Sequence, residues 1–215
     1  PCIPVRDIEI QRRENDVVAA TFGRGFYVLD DYSPLREISQ ATMDKPFHMF
    51  PVKNAWLYNP EDKLGGVRGF QGDSLYVADN PPYGATFTYV LKETPKTAKT
   101  KRKEQESKNK QSGKDNPYPG WAALRTEKFE DEPLLIFQIE DSNGNVVDRM
   151  TAPAKQGTHR VNWDLQYAPF SASTGRGGFA PSVVPGTYRV TAWQRVADQT
   201  KQIGEPVEFE VQAIL

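Results

Sequence analysis

At 215 residues the chain is long enough for one large or two small hydrophobic cores, and 11% aromatic content argues against disorder over most of it. A formal net charge of -1 excludes a global field that would draw nucleic acid or an acidic membrane, and no apolar run approaches the length of a bilayer span. The single cysteine, Cys2, can form no internal disulfide.

The chain opens Pro1-Cys2-Ile3-Pro4-Val5, without an initiator Met, a basic n-region or an apolar h-region, so a processed or truncated chain is expected. Its first thirty residues predict three short strands. Val5 to Gln11 alternates, with Ile8 and Ile10 on one face and Asp7 and Glu9 on the other. Arg13 to Asp16 is turn chemistry, and Val17 to Thr21 is apolar on both faces, as in a strand flanked by neighbours. Gly23-Arg24-Gly25 turns the chain into a third strand, Phe26 to Leu29. Such a meander is only marginally stable alone and requires a partner sheet.

Ser33-Pro34 predicts a short helix or turn, after which Pro46 and Pro51 forbid a long helix and leave an extended connector up to residue 79. Gly65, Gly66, Gly69 and Gly72 mark a loop within it. From Asn80 the pattern is that of an immunoglobulin-like sandwich running to residue 215. After the turn Asn80 to Gly84, a strand places Ala85, Phe87, Tyr89 and Leu91 on one face. A charged insertion, about 92–130, reads as a solvated helical or partly disordered excursion, with Trp121, Leu124 and Phe129 at helical spacing to anchor its return. Further strands are expected around Leu135-Phe137-Ile139, Val146-Val147, His159-Val161-Trp163, Tyr188-Val190-Ala192 and Val207-Phe209-Val211. A long glycine-bearing loop, Gln166 to Val184, interrupts them. The fold class is mainly β: a sandwich preceded by a three-strand remnant, with one charged helical excursion.

Val5-Arg6-Asp7-Ile8, followed by Asn15 to Asp31 with its Gly23-Arg24-Gly25 core, resembles the closing blade of bacterial sortilin-like, BNR-repeat β-propeller proteins. The runs Gly157 to Leu165 and Val184 to Tyr188 are similar to the immunoglobulin-like domain first known from flagellar hook-capping proteins. The resemblance spans nearly the whole chain and implies a C-terminal piece of such a propeller protein. Its strongest motifs, Gly23-Arg24-Gly25 and Trp163-Asp164 with Pro185-Gly186, have structural explanations. Glycines allow tight turns, Trp163 fills a core, Asp164 ends a strand on nearby amides, and Pro185-Gly186 feeds the next strand.

No catalytic, cofactor or metal site is expected. Asp30-Asp31 and Glu130-Asp131-Glu132 are adjacent carboxylates, which on a strand point apart rather than converge on a glycosidic bond. Asp141 to Asn145 has glycine fourth and Ala152 twelfth, which fits a hairpin turn and not an EF-hand loop. His48 and His159 lack zinc-ligand spacing. Tyr83, Trp121 and Trp193 are the candidates for contact with a ligand such as a glycan, beside a packing role.

These readings give a non-catalytic structural or interaction module that pairs with or braces a propeller. Its expected partners are the remainder of the propeller, in the same precursor or as a separate chain, or a second copy. The alternative is an accessory carbohydrate-binding domain of a glycoside hydrolase-like protein. Nucleic acid is an improbable partner because Glu93, Glu104 and Glu106 interleave the lysines, and membrane insertion is not expected. The resemblance implies a periplasmic, outer-membrane-associated or secreted location.

Overall fold

The alternating residues at the start of the chain form an antiparallel meander of β1 (Val5–Gln11), β2 (Asp16–Thr21) and β3 (Phe26–Leu29), in that order. The computed structural model describes residues 3–59, 80–169 and 180–214. Gly23 and Gly25 sit at φ of 77° and 72°, left-handed values that glycine adopts without strain, and they place the Gly25 carbonyl on the Thr21 amide at 3.1 Å.

Two single-turn helices follow, α1 (Ser33–Glu37), with Pro34 in its first turn, and α2 (Gln40–Asp44). Ser39 and Thr42 close α2 with a reciprocal capping box. Within the stretch expected as connector lie two three-residue strands, β4 (Phe47–Met49) and β5 (Ala55–Leu57). Phe47, Met49, Phe50, Val52 and Ala55 are all buried, so this segment is part of the core. The Gly65 to Gly72 loop and the stretch holding Gly175, Gly177 and Gly178 lie outside the described residues.

The strands that follow are β6 (Ala85–Leu91), β7 (Leu134–Asp141), β8 (Val146–Pro153), β9 (Gly157–Trp163), β10 (Gly186–Val196), β11 (Gln199–Gln202) and β12 (Val207–Ala213). Between β6 and β7 stand α3 (Ala98–Gln111) and α4 (Trp121–Phe129). Strands β4-β6-β9 make one sheet, and β5-β12-β10-β7-β8, with β11 added to β10, make the other. The molecule is thus mainly β and sandwich-like, as expected.

The two sheets meet through aromatic rings. Phe87 and Tyr89 of β6 lie 6.4 and 5.0 Å from the Phe137 ring, and Trp163 lies 5.5 Å from Tyr188 and 6.0 Å from Phe209. Each such ring, removed from water, contributes roughly 1.5–3 kcal/mol. Gly84 starts β6 at φ 118°, where a Cβ would lie 1.9 Å from the Trp163 carbonyl oxygen. Only glycine fits this approach.

Candidate functional site

The meander contributes nothing to the sandwich core. Every residue of β1 and β3 is exposed, and β2 is half-buried only by its neighbours. Register assigns its faces. Ile8 faces Ala19 and Ile10 faces Val17, while Ala19 and Val17 face Tyr27 and Leu29, so these six make one uncharged face. The opposite face carries Val18, Ala20, Val28 and Phe26 beside the charged Asp7 and Glu9. Phe26 is 75% exposed and Ile8 59%. Both outer edges are unpaired among the described residues. The β1 edge carries Arg6, Asp7 and Glu9 and a register irregularity between Val5 and Asp7, whereas the β3 edge is uncharged throughout.

Polar contacts tie this sheet to the sandwich. Arg160 of β9 donates to the Asp30 and Asp31 carbonyls at 3.0 and 2.7 Å. Lys53 forms an ion pair with Glu14 and donates to its carbonyl at 3.0 Å. Along this seam runs a groove of about 600 Å³, lined by Trp56, Tyr58 and Tyr83 together with Glu14, Asp16, Asp30 and Asp31.

Three of the four carboxylates of the groove are occupied. Lys53, hydrogen-bonded to Glu14, holds that carboxyl below its usual value against the effect of partial burial. Asp16 accepts the Asp31 amide at 2.9 Å, and Asp31 accepts both the amide and the hydroxyl of Ser33. Asp31 therefore caps the turn into α1. Glu14, Asp16, Lys53, Trp56 and Arg160 were not singled out in the sequence, because the seam gathers them from segments far apart in the chain.

The candidate ligand residues are on separate parts of the molecule. Tyr83 is in the groove, its ring 5.1 Å from Tyr58 and edge-on to it. Trp193 is half-buried on the outer face of β10, between Ile136 of β7 and Gln202 of β11. Trp121 begins α4 and is 81% exposed. Phe129, at the other end of α4, is 73% exposed, so two of the three residues expected to anchor the return of the excursion face solvent, and Leu124 is half-buried.

The turn and motif residues act on the backbone. Asp141 accepts the Asn143 and Asn145 amides at 2.9 and 2.8 Å, and these bonds, with Asn145 Nδ2, hold its carboxyl below the ordinary range. Trp163 is 1% exposed and donates from Nε1 to the Gln166 carbonyl, while Asp164 accepts the Gln166 amide at 3.2 Å. Gly186, after Pro185, opens β10. His48 and His159 pair with Val90 and Tyr89 on opposite flanks of β6, and no group of three metal-ligating side chains gathers among the described residues. Among the described residues, no helix is long and apolar enough to cross a membrane.

No family model matches the chain, and no curated protein matches it significantly. Among solved structures, PorZ of Porphyromonas gingivalis, described as an essential bacterial surface component of the type-IX secretion system, is similar at 14% identity with a TM-score of 0.28. The match covers 98% of this chain and 23% of that one, so this chain spans about a quarter of PorZ. The sortilin-like, BNR-repeat resemblance rests on the motifs quoted above.

Proposed function

We propose that the chain is a non-catalytic interaction module of an extracytoplasmic β-propeller protein, in which the meander completes a blade and the sandwich braces it. The observation that carries this reading is a three-stranded sheet with apolar side chains on both faces and cover on neither. A propeller blade is a four-stranded sheet set between two others, which is the environment such a sheet lacks. The fourth strand belongs on β3, whose edge is uncharged, rather than on β1, whose charges and irregular register resist strand addition. The extracytoplasmic location belongs to the same reading and is supported by the motif resemblance.

A non-catalytic role is supported by the groove chemistry. A glycosidase requires one carboxyl raised to act as an acid and a second free to act as base or nucleophile. Here Glu14 is pushed the other way, and Asp16 and Asp31 are committed to backbone amides and Ser33.

Hydrogen exchange tests the proposal. The chain is mixed with a BNR-repeat propeller that keeps only one strand of its last blade. The expected result is slowed exchange at the Phe26–Leu29 amides, abolished by Leu29→Lys. Unchanged exchange in the mixture would refute blade completion. A second reading, glycan binding, is favoured by Trp56, Tyr58 and Tyr83, which line the groove. It requires glycan-array binding that Trp56→Ala removes.

A further inference from the structure

The overall charge balance conceals a local one. Residues 92–130 hold eleven Lys and Arg against six Asp and Glu, in a chain with 27 against 28. The helices α3 and α4 run antiparallel, since Arg102 donates to Glu127 at 2.7 and 2.8 Å and the Ala98 amide to Glu130 at 2.7 Å. Their acids are largely used internally. Lys96 pairs with Glu104, and Arg102 holds both Glu106 and Glu127.

At 3.6 residues per turn, Lys99, Lys103 and Lys110 share one flank of α3, about a quarter-turn from Arg102. In a right-handed antiparallel pair the adjoining flank of α4 carries Trp121 and Lys128. Glu127 agrees with this arrangement: its carboxyl is held below the ordinary range first by Arg102 and then by the charges of Lys99 and Lys103. Lys101, on the opposite flank, lines a cleft with Gln194, Thr200 and Lys201, so that flank is turned to the β10–β11 hairpin. The Lys99 flank is turned away. Its four lysines are exposed and form no ion pair among the described residues, and the exposed indole of Trp121, packed on Tyr118, lies on the same flank.

We infer that this flank of the helical hairpin docks on the surface of an anionic phospholipid bilayer, with lysines on the headgroup phosphates and the Trp121 ring at headgroup depth. Charge complementarity selects an anionic partner, and an exposed amphipathic ring on a lysine-bearing flank suits a boundary that is charged outside and apolar beneath. A nucleic-acid strand would be held instead by a series of stacking aromatics along the helix, and here the exposed rings are a single edge-on pair, Trp121 with Tyr118 at 6.1 Å. The contact is peripheral and needs no membrane span. It is independent of the meander.

The test is flotation of the full chain with vesicles of phosphatidylcholine alone or mixed with phosphatidylglycerol. Binding is expected with the anionic vesicles only, weakening as salt rises. Each lysine at such a surface accounts for about fivefold in affinity, so Lys103→Gln with Lys110→Gln lowers it roughly 25-fold. Trp121→Ala removes the blue shift of tryptophan emission on vesicle addition, and it leaves the thermal midpoint unchanged because the ring is exposed. Equal binding to neutral vesicles, indifference to the lysine pair, or retention on heparin or DNA without vesicle binding would each overturn the inference.

Discussion

Gly84 and Trp163 meet where β6 begins and β9 ends, and the sandwich closes on that meeting. The backbone of one passes against the carbonyl of the other, and the indole then reaches Tyr188 and Phe209 in the facing sheet. Trp163→Ala is expected to cost about 3–5 kcal/mol, read as a lower denaturant midpoint at unchanged slope. Asp148 has the opposite character. Burial, and secondarily the charge of Asp164, raise its carboxyl above the ordinary 3.8. A carboxyl whose folded value is raised weakens the fold at neutral pH, and this cost fades as pH falls below the unfolded value. Asp148→Asn should therefore raise the melting temperature at neutral pH. The gain should vanish below pH 3.8, and a gain that persists there would show a packing effect instead.

Among the elements, those with strong alternation were legible. Strands such as β7 and β12 follow from apolar residues two apart, because one face of each packs and the other does not, and the meander and β6 show the same spacing although neither face of the first and both faces of the second are covered. The helical character of the charged excursion was also legible from its composition. Its aromatic residues were not. Trp121, Leu124 and Phe129 have the spacing of a buried face, yet Arg102 and Glu127 make the helix contact, and only Leu124 is half-buried. Periodicity places residues on a face without saying whether anything covers it. Strands β4 and β5 escaped because three residues carry no period, and their pairing with β6 and β12 supplies the order that their own sequence lacks. The seam groove was out of reach for a related reason: it is assembled from segments more than a hundred residues apart, such as Asp30 and Arg160.

At the scale of the molecule, a two-sheet core carries a meander and a helical hairpin that add nothing to it. The two polar ties across the seam, from Arg160 and Lys53, are each worth up to about 1 kcal/mol. Deleting residues 3–31 should then lower the thermal midpoint of the remainder by no more than about 4–8 °C. Loss of a cooperative transition would mean that the sheet is integral to the core. The parallel contact of β5 with β12 has a different consequence. Val211 meets Ala55 across a long stretch of sequence, so the larger sheet acquires its edge only once β12 has come back to β5. Pairings of such high contact order form slowly. The local hairpins of the meander can form well before that closure, which leaves them available to a partner while the larger sheet is still open.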